Sequence, residues 1–373
     1  MIKGKILFVA SVAVHFHAFH RPYLKWFHDQ GYEVHVVCKG NFFDPNVSKV
    51  WNIEFERSPL SLTHLSSLFE LRKIISDNNY CLITCHTPMA SVLARLASVE
   101  ARKKGTRLIY TAHGFHFFKG GSKWSWLTYY PIEVTMSYLT DAIVCINQED
   151  LDIISQKGSS STSYYLIPGI GVDSNKFELA SKEQKSTLRE YFEIDKEAFV
   201  MIYVAEFIER KNHRLLIDAI KLLSNKIDNF TVLLVGTGVL LDEIKEYVLD
   251  NSLDEQVRFL GFITEVEQCY QVSDVAISTS RQEGLGINLV EAMMCGLPVI
   301  ATIDRGHRTV IDHKNNGILV PQNDFKELSD AIYELYDDQE FRRRMSVEAI
   351  KKAAKFEIKN SLRAMSKIYN NFL

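Results

Sequence analysis

Glu283-Gly-Leu-Gly-Ile-Asn-Leu-Val-Glu291 sets two carboxylates on either side of a glycine-rich turn, with seven residues between them. The run before it, Val275-Ala-Ile-Ser-Thr-Ser280, reads as a buried strand ending in a polar loop. The residues after it, Ile287 to Cys295, carry a helical pattern closed by Gly296 and then Pro298. Glu283 is therefore expected in the loop and Glu291 on the helix. Gly284 and Gly286 let backbone N–H groups come close to an anion, and a helix start adds fixed positive potential. An ionised carboxylate only accepts hydrogen bonds, which suits the paired hydroxyls of a sugar or a ribose. Diphosphate at the helix start, with one glutamate on a sugar and one on a ribose, is what a nucleotide sugar requires. Without context, the same pair reads equally as a loop cap and a solvated helix face.

The context is an alternation of short apolar runs with longer amphipathic ones. Lys5–Ala10, Glu33–Cys38, Cys81–Cys85, Arg107–Thr111 and Ala142–Ile146 read as strands, with helical patterns at Arg21–Gln30, Leu62–Asn78 and Met89–Lys104. The alternation then repeats. Val200–Val204, Thr231–Val235, Val257–Leu260, Val275–Ser278 and Pro298–Ala301 are the second set of strands, with helices near 213–226, 239–250, 287–295 and 326–336. Such alternation predicts an α/β protein with two doubly wound parallel sheets in series. Gly169, Gly171, Asp173, Ser174 and Asn175 supply turn chemistry, so the boundary is expected between Pro168 and Lys185. The domains are drawn at 1–175 and 176–355, followed by a helical, basic terminal segment.

At 373 residues the chain has room for two cores, and 46% hydrophobic with 24% charged residues is ordinary for a globular protein. A net charge of −3 gives no reason to propose a nucleic-acid partner. The charge is uneven: residues 1–170 hold 17 Lys+Arg against 13 Asp+Glu, and the remainder carries −7. The basic half is the better candidate for an anionic surface. Six cysteines at 38, 81, 85, 145, 269 and 295 show no C-x-x-C spacing and read as buried thiols of a reducing cytoplasm. No signal peptide is read at the start, and no apolar run approaches the ~20 residues that span a bilayer.

Five segments then make a family resemblance. Glu283 to Ile300, EGLGINLVEAMMCGLPVI, is joined by His113-Gly-Phe-His-Phe117, Ile167-Pro-Gly-Ile-Gly-Val-Asp173, Arg210-Lys-Asn-His213 and Val235-Gly-Thr-Gly238. In order and extent, over most of the chain, these resemble the motifs of the GT4 family of retaining glycosyltransferases, above all the bacterial subgroup that builds capsular and exopolysaccharide repeat units on a lipid carrier. The resemblance implies the GT-B fold, with two Rossmann-like domains facing a central cleft. It implies an N-terminal domain for the acceptor, a C-terminal domain for the nucleotide sugar, and a last helix (about 356–373) that packs back on the first domain. It also implies hexosyl or N-acetylhexosaminyl transfer from a nucleotide sugar, by default linked to uridine diphosphate, with no metal or cofactor. The acceptor would be a polyprenyl-diphosphate glycan at the inner face of the cell membrane.

The resemblance places His113 against the donor sugar, Glu283 on the transferred sugar, Glu291 on the ribose and Lys211 on the diphosphate. Donor contacts are expected from Glu206, Arg210, Gly236, Phe262, Gly284, Leu285, Gly286, Ile287, Asn288 and Glu291. One departure stands out: Val204-Ala-Glu206 occupies the place where many members have Gly-Arg. Glu206 beside a diphosphate needs a partner, either by compensation from Arg210 or by orienting Lys211. Gly236-Thr-Gly238 lacks the third glycine of a dinucleotide fingerprint, since Leu241 stands there, which counts against an NAD enzyme. Phe262 reads either as part of a base-binding loop or as core.

His15, His17 and His20, followed by Arg21-Pro22, cluster in what reads as the first strand-to-helix loop, either to bind acceptor phosphate or hydroxyls or simply to pack. A catalytic zinc there lacks a carboxylate at a useful spacing. Asp150-Leu-Asp152 resembles a metal-binding carboxylate pair but opens a helical stretch, so capping accounts for it better. From Phe115 to Tyr138 the chain is dense in aromatic residues. Phe117, Phe118, Trp124 and Trp126, with Lys119 and Lys123, are expected to face a membrane, the alternative being packing between domains or in a dimer. Two other readings stay open: a nucleotide-sugar epimerase of the same fold, and a non-catalytic nucleotide-sugar-binding protein.

Overall fold

The computed structural model describes residues 2–56 and 61–373. They divide into two compact units: the chain up to Gly171 together with Ile358–Leu373, and Val172–Glu357. The first unit holds seven parallel strands: β1 (Lys5–Val12), β2 (Glu33–Lys39), β3 (Lys49–Asn52), β4 (Leu82–His86), β5 (Arg107–Ala112), β6 (Ala142–Cys145) and β7 (Ser163–Leu166). Their order across the sheet is β3-β2-β1-β4-β5-β6-β7. The second holds β8 (Phe199–Val204), β9 (Phe230–Val235), β10 (Val257–Gly261), β11 (Val275–Ser278), β12 (Val299–Thr302) and β13 (Gly317–Val320), in the order β10-β9-β8-β11-β12-β13.

The central strands are almost unbroken apolar runs buried along their length, as required of parallel sheets covered by helices on both faces. Each strand order reverses once, between β1 and β4 in the first sheet and between β8 and β11 in the second. Loops leaving the carboxyl ends of such a strand pair turn to opposite faces and open a crevice, the usual ligand position in an open α/β sheet. Half-buried aspartates pin these sheets. Asp274, just before β11, accepts from Lys185, from Arg189 and from the backbone N–H of Val200, each at 2.8 Å. Asp141, just before β6, does the same with Arg102 at 3.0 Å and Leu108 N–H at 2.8 Å.

The strand readings from sequence match these elements to within one or two residues at their ends. The reading misses β3, β7 and β13. β3 and β7 are edge strands with largely solvated side chains, so no apolar run marks them. The pattern Met89–Lys104 is two helices, Pro88–Ala97 and Val99–Lys103, divided at Ser98. The region expected to be the first loop contains a helix, Ala13–Phe19.

The chain leaves the first unit after Gly171 and returns to it at Ile358. At this crossing a Cβ on Gly171 (φ +91°) would lie 2.5 Å from Cα of Ile358, so only glycine fits. The returning helix, Ile358–Asn370, buries Tyr369, whose ring lies 4.7 Å from Phe27 and 5.9 Å from Trp26. It brings Lys359, Arg363 and Lys367 and no acid, so the first unit carries +7 and the second −10. Truncating a buried aromatic ring costs about 3–5 kcal/mol. Tyr369→Ala should therefore speed hydrogen exchange at the slowest amides of β1 and β4 by at least about a hundredfold and leave β8 and β11 unchanged. Equal protection of β1 in the variant would show that the helix does not hold the first unit together.

Candidate active site

In the second unit, the loops after β8 and β11 meet at the point where the strand order reverses. After β8 the chain passes through a single helical turn, Glu209–Lys211, and Asn212 adopts a left-handed conformation (φ +50°) before the helix His213–Leu223. The carbonyl of Lys211 accepts from Tyr203 Oη of β8 at 2.8 Å and from Thr279 Oγ1 after β11 at 3.0 Å. The backbone of Lys211 is thus fixed from both strands, and its Nζ bonds directly to Glu283 Oε1. Arg210 donates to the carbonyl of Gln282 at 2.6 Å and to Glu283 Oε2 at 3.2 Å. Burial pushes the Glu283 carboxyl up, but Lys211, Arg210 and His307 together outweigh it and hold the pKa at about 2. Glu283 is ionised at any physiological pH.

Residues that sequence reasoning missed hold Glu283 in place. Asp304 Oδ2 accepts the Glu283 N–H at 2.7 Å, and Gly306 lets the Glu283 carbonyl approach to where a Cβ would be 2.8 Å away. His307 donates Nδ1–H to the Thr302 carbonyl at 2.7 Å, and its buried Nε2 has no hydrogen-bond partner among the described residues. Gly286 (φ +85°) starts the helix Ile287–Met294 without a side-chain cap, and a Cβ there would lie 3.1 Å from the His307 ring. The only sequence signal for this support was Asp304 directly after an apolar strand, where a cap is expected.

Glu291 sits on the second turn of that helix, as expected from its spacing, in a different environment. Its carboxylate accepts a hydrogen bond from Tyr270 Oη at 3.1 Å. Burial and Glu267 raise its pKa to about 7, against the hydrogen bond from Tyr270 and the charge of Lys176. One carboxylate is locked by two cations and the other is held by a neutral phenol.

The remaining donor-side residues scatter. Asn288 donates to the Val204 carbonyl at the end of β8 at 3.1 Å, Leu285 is buried, and Ile287 is half-buried. Glu206 is exposed, and Lys211 and Arg210 pair with Glu283 instead, so it does not orient Lys211. Gly236 is needed for its own fold: a Cβ would lie 2.0 Å from the Ala205 carbonyl, so the close approach is to the loop after β8. Phe262 is 77% exposed and is not core.

In the first unit the histidines separate. His15 and His17 lie two apart on a helix and point to different sides. His17 bonds Arg21 at 3.0 Å in solvent, and Arg21 lies 3.7 Å from Asp44. His15 and His20 turn inward and share a hydrogen bond of 2.9 Å. They meet His86 at the end of β4 and His113 after β5, so four imidazoles gather at the carboxyl ends of β1, β4 and β5. His86 Nδ1 lies 3.3 Å from His113 Nε2, and the rings of His20 and His86 are 4.0 Å apart. Burial lowers the pKa of all four, that of His15 to about 4, so the cluster is neutral at pH 7. His86 carries no local signal, since it closes a buried strand and only the strand order sets it beside His113. Asp150 is buried at the start of the helix Gln148–Lys157, bonded to Asn147 and to the Phe115 N–H at 3.0 Å.

The aromatic segment needs correction as a membrane face. Phe117 is fully buried, stacked on Phe115 at 4.8 Å and edge-on to Tyr130 at 5.3 Å. Trp126 packs against the same core and donates Nε1–H to the Phe118 carbonyl at 3.0 Å. Phe118 is half-buried. Trp124 (74% exposed) and Leu127 (68%) on the helix Lys123–Ser137 do face solvent.

The Glu291 environment has a thermodynamic signature. Its pKa is raised on folding, so the associated stability is fully present below the ordinary value of 4.5 and is lost as pH rises through about 7. At pH 8 the ligand-free protein carries this cost, up to about 3 kcal/mol. Glu291→Gln should unfold at a higher denaturant concentration than wild type at pH 8 and at the same concentration at pH 4.5. A pH-independent difference would remove Glu291 as the titrating group.

Comparison with known proteins gives the family. The family described as glycosyl transferases group 1 matches residues 184–352, and that described as glycosyl transferase 4-like matches residues 5–147. EpsD of Bacillus subtilis (strain 168), named a glycosyltransferase, is 37% identical over 371 residues, covering 99% of this chain and 97% of its own. The UDP-Gal:alpha-D-GlcNAc-diphosphoundecaprenol alpha-1,3-galactosyltransferase of Escherichia coli is 26% identical over 322 residues, 83% of this chain and 82% of that one. Among solved structures, Anabaena HepE in complex with UDP-glucose superposes with a TM-score of 0.82 at 21% identity, over 99% of this chain and all of that one. Two family matches in tandem, and a relative aligned along almost the whole of both chains, make this chain a member of the group 1 (GT4) glycosyltransferases, with the GT-B fold.

Proposed function

We propose that the chain moves a hexosyl or N-acetylhexosaminyl group from a uridine-diphosphate sugar to a glycan carried on a polyprenyl diphosphate, with retained anomeric configuration and no catalytic metal. The observation that carries this reading is the convergence of Lys211 and Arg210 on Glu283 beside the uncapped start of the helix Ile287–Met294. Departure of a diphosphate builds negative charge as the anomeric carbon becomes cationic. Two cations and a helix start supply fixed positive potential for the first. Glu283, already ionised, accepts hydroxyl hydrogen bonds from the sugar, and Glu291 accepts those of the ribose. Phe262, exposed after β10, is free to meet the base. His113 acts on the donor sugar, as the family resemblance assigns it.

Donor and acceptor classes draw support from the relatives. The Escherichia coli enzyme is named for a UDP-linked donor and a diphosphoundecaprenol acceptor, and HepE binds UDP-glucose. The units bearing +7 and −10 favour a division in which the first unit, of residues up to 171 with 358–373, takes the acceptor and the membrane surface, and the second takes the donor. Among the described residues no helix is long and apolar enough to cross a membrane, so attachment at the inner face would be peripheral. Two exposed apolar stripes suit it: Trp124 with Leu127 beside Lys123, and Leu62, Leu65 and Phe69 along one side of the helix Thr63–Asn78.

Incubation with a panel of nucleotide sugars, with and without a polyprenyl-diphosphate glycan, separates transfer from epimerisation and from binding alone. Transfer should proceed in the presence of chelator and give a product of retained configuration by NMR. Glu283→Gln should lower kcat about 10- to 100-fold, the loss expected for a charged hydrogen-bonding partner. An inverted product, or activity that needs added magnesium, would refute this mechanism.

Each basic residue near an anionic surface contributes on the order of 1 kcal/mol, so binding should be reversible and salt-sensitive. In flotation with phosphatidylglycerol vesicles, wild type should rise with the lipid at low salt and the double variant Trp124→Ser/Leu127→Ser should remain largely at the bottom. Equal flotation of both would exclude this stripe as the membrane contact.

A further inference from the structure

The four-histidine cluster is not used by the donor chemistry beyond His113. We propose that His15, His20 and His113 form a binding site for a zinc-class divalent cation, oriented by His86, and that occupancy withdraws His113 from sugar transfer. One ring nitrogen from each of the three lies within 4.8 Å of the others, and the nearest pair, His20 Nε2 and His15 Nδ1, is 2.9 Å apart. Tetrahedral zinc with Zn–N bonds of about 2.0–2.1 Å needs nitrogens about 3.3 Å from one another, which lies between those two limits. Rotation of the rings has to close the widest separation by up to about 1.5 Å, shared between two side chains. The donor set is imidazole only, which suits zinc, copper or nickel and not magnesium or calcium.

His86 supplies the support that a metal-binding imidazole needs. Its Nδ1 lies 3.3 Å from His113 Nε2 and its Nε2 lies 3.2 Å from Thr84 Oγ1, and it is buried. An outer partner of this kind fixes the tautomer and ring orientation of the ligand it touches. Access is open: His15 and His113 are both partly exposed, so a hydrated ion can arrive and keep a water in the fourth position. His15 lies on the helix Ala13–Phe19 after β1 and His20 at the end of that helix, while His113 directly follows β5 and His86 ends β4, so a sheet edge and the helix beside it bring them together. Neutral rings need lose no proton to bind.

The test uses the full chain, stripped of metal, with Co²⁺ as a visible-absorbing probe. One equivalent should bind, give the visible bands of a low-coordinate nitrogen site, and be displaced by Zn²⁺. His15→Ala, at a partly exposed position, should weaken binding by more than about tenfold, and His86→Leu by about 10- to 100-fold. His17→Ala, whose imidazole faces solvent, should bind as wild type. Zn²⁺ should raise the melting temperature of wild type and not of His15→Ala. Equal Co²⁺ affinity in wild type and His15→Ala, or loss of binding in His17→Ala, would overturn the site. The inhibitory consequence rests on the transferase reading above, and transfer should fall with Zn²⁺ occupancy and recover with chelator. Tight binding by a chain that transfers no sugar would refute that reading and leave the site intact. Full transfer at full occupancy would refute the withdrawal of His113.

Discussion

The contact on which the second unit's chemistry depends is the ion pair of Lys211 with Glu283, placed where the strand order reverses between β8 and β11. Neither side chain could be held there cheaply by itself. A buried carboxylate is costly unless paired, and a lysine at the end of a long stem loses much freedom when fixed. The sheet solves both problems by clamping the backbones. Tyr203 and Thr279 hold the Lys211 carbonyl, and Asp304 holds the Glu283 N–H. Two loops 72 residues apart in sequence then have only one place to meet.

The two switch points use opposite electrostatics. In the second sheet, burial is met by pairing, and Glu283 stays charged at any physiological pH. In the first, four imidazoles have no carboxylate to pair with among the described residues, and burial lowers their pKa values and keeps them neutral. The arrangement in the second sheet keeps two cations and a carboxylate charged side by side. A site built from neutral rings offers lone pairs instead, which suits hydroxyls or a soft-ligand metal better than an anion. Glu291 falls between these cases: it is held by the Tyr270 hydroxyl with only the charge of Lys176 to offset its burial, and that environment makes it a cost to the empty protein.

Aromatic density proved an ambiguous guide. Phe117, Phe118, Trp124 and Trp126 look alike in sequence, yet Phe117 is core, Phe118 and Trp126 are partly core, and Trp124 is surface. On a helix, Trp124 and Trp126 point about 200° apart, so one must face inward if the other faces out. The exposed stripe of Leu62, Leu65 and Phe69 has the opposite history. Its spacing fits an ordinary buried helix face, and only the packing of Leu71, Ile74 and Ile75 elsewhere on the same helix leaves it in solvent.

The sequence by itself determined the architecture and the elements that carry Glu283, Glu291 and Lys211. Apolar runs of strand length, broken by helical patterns, admit little but two parallel doubly wound sheets, and Glu283, Glu291 and Lys211 stand at strand ends or on the following helix that local pattern alone can locate. It did not determine which side chains meet. That Lys211 and Arg210 take Glu283 and leave Glu206 in solvent, that Gly236 yields to the Ala205 carbonyl, and that His86 joins His15, His20 and His113 all depend on contacts between segments far apart in the chain. Periodicity reports which face a residue lies on. The partner on that face is chosen by strand order, which is set by the packing of whole layers and leaves no local trace.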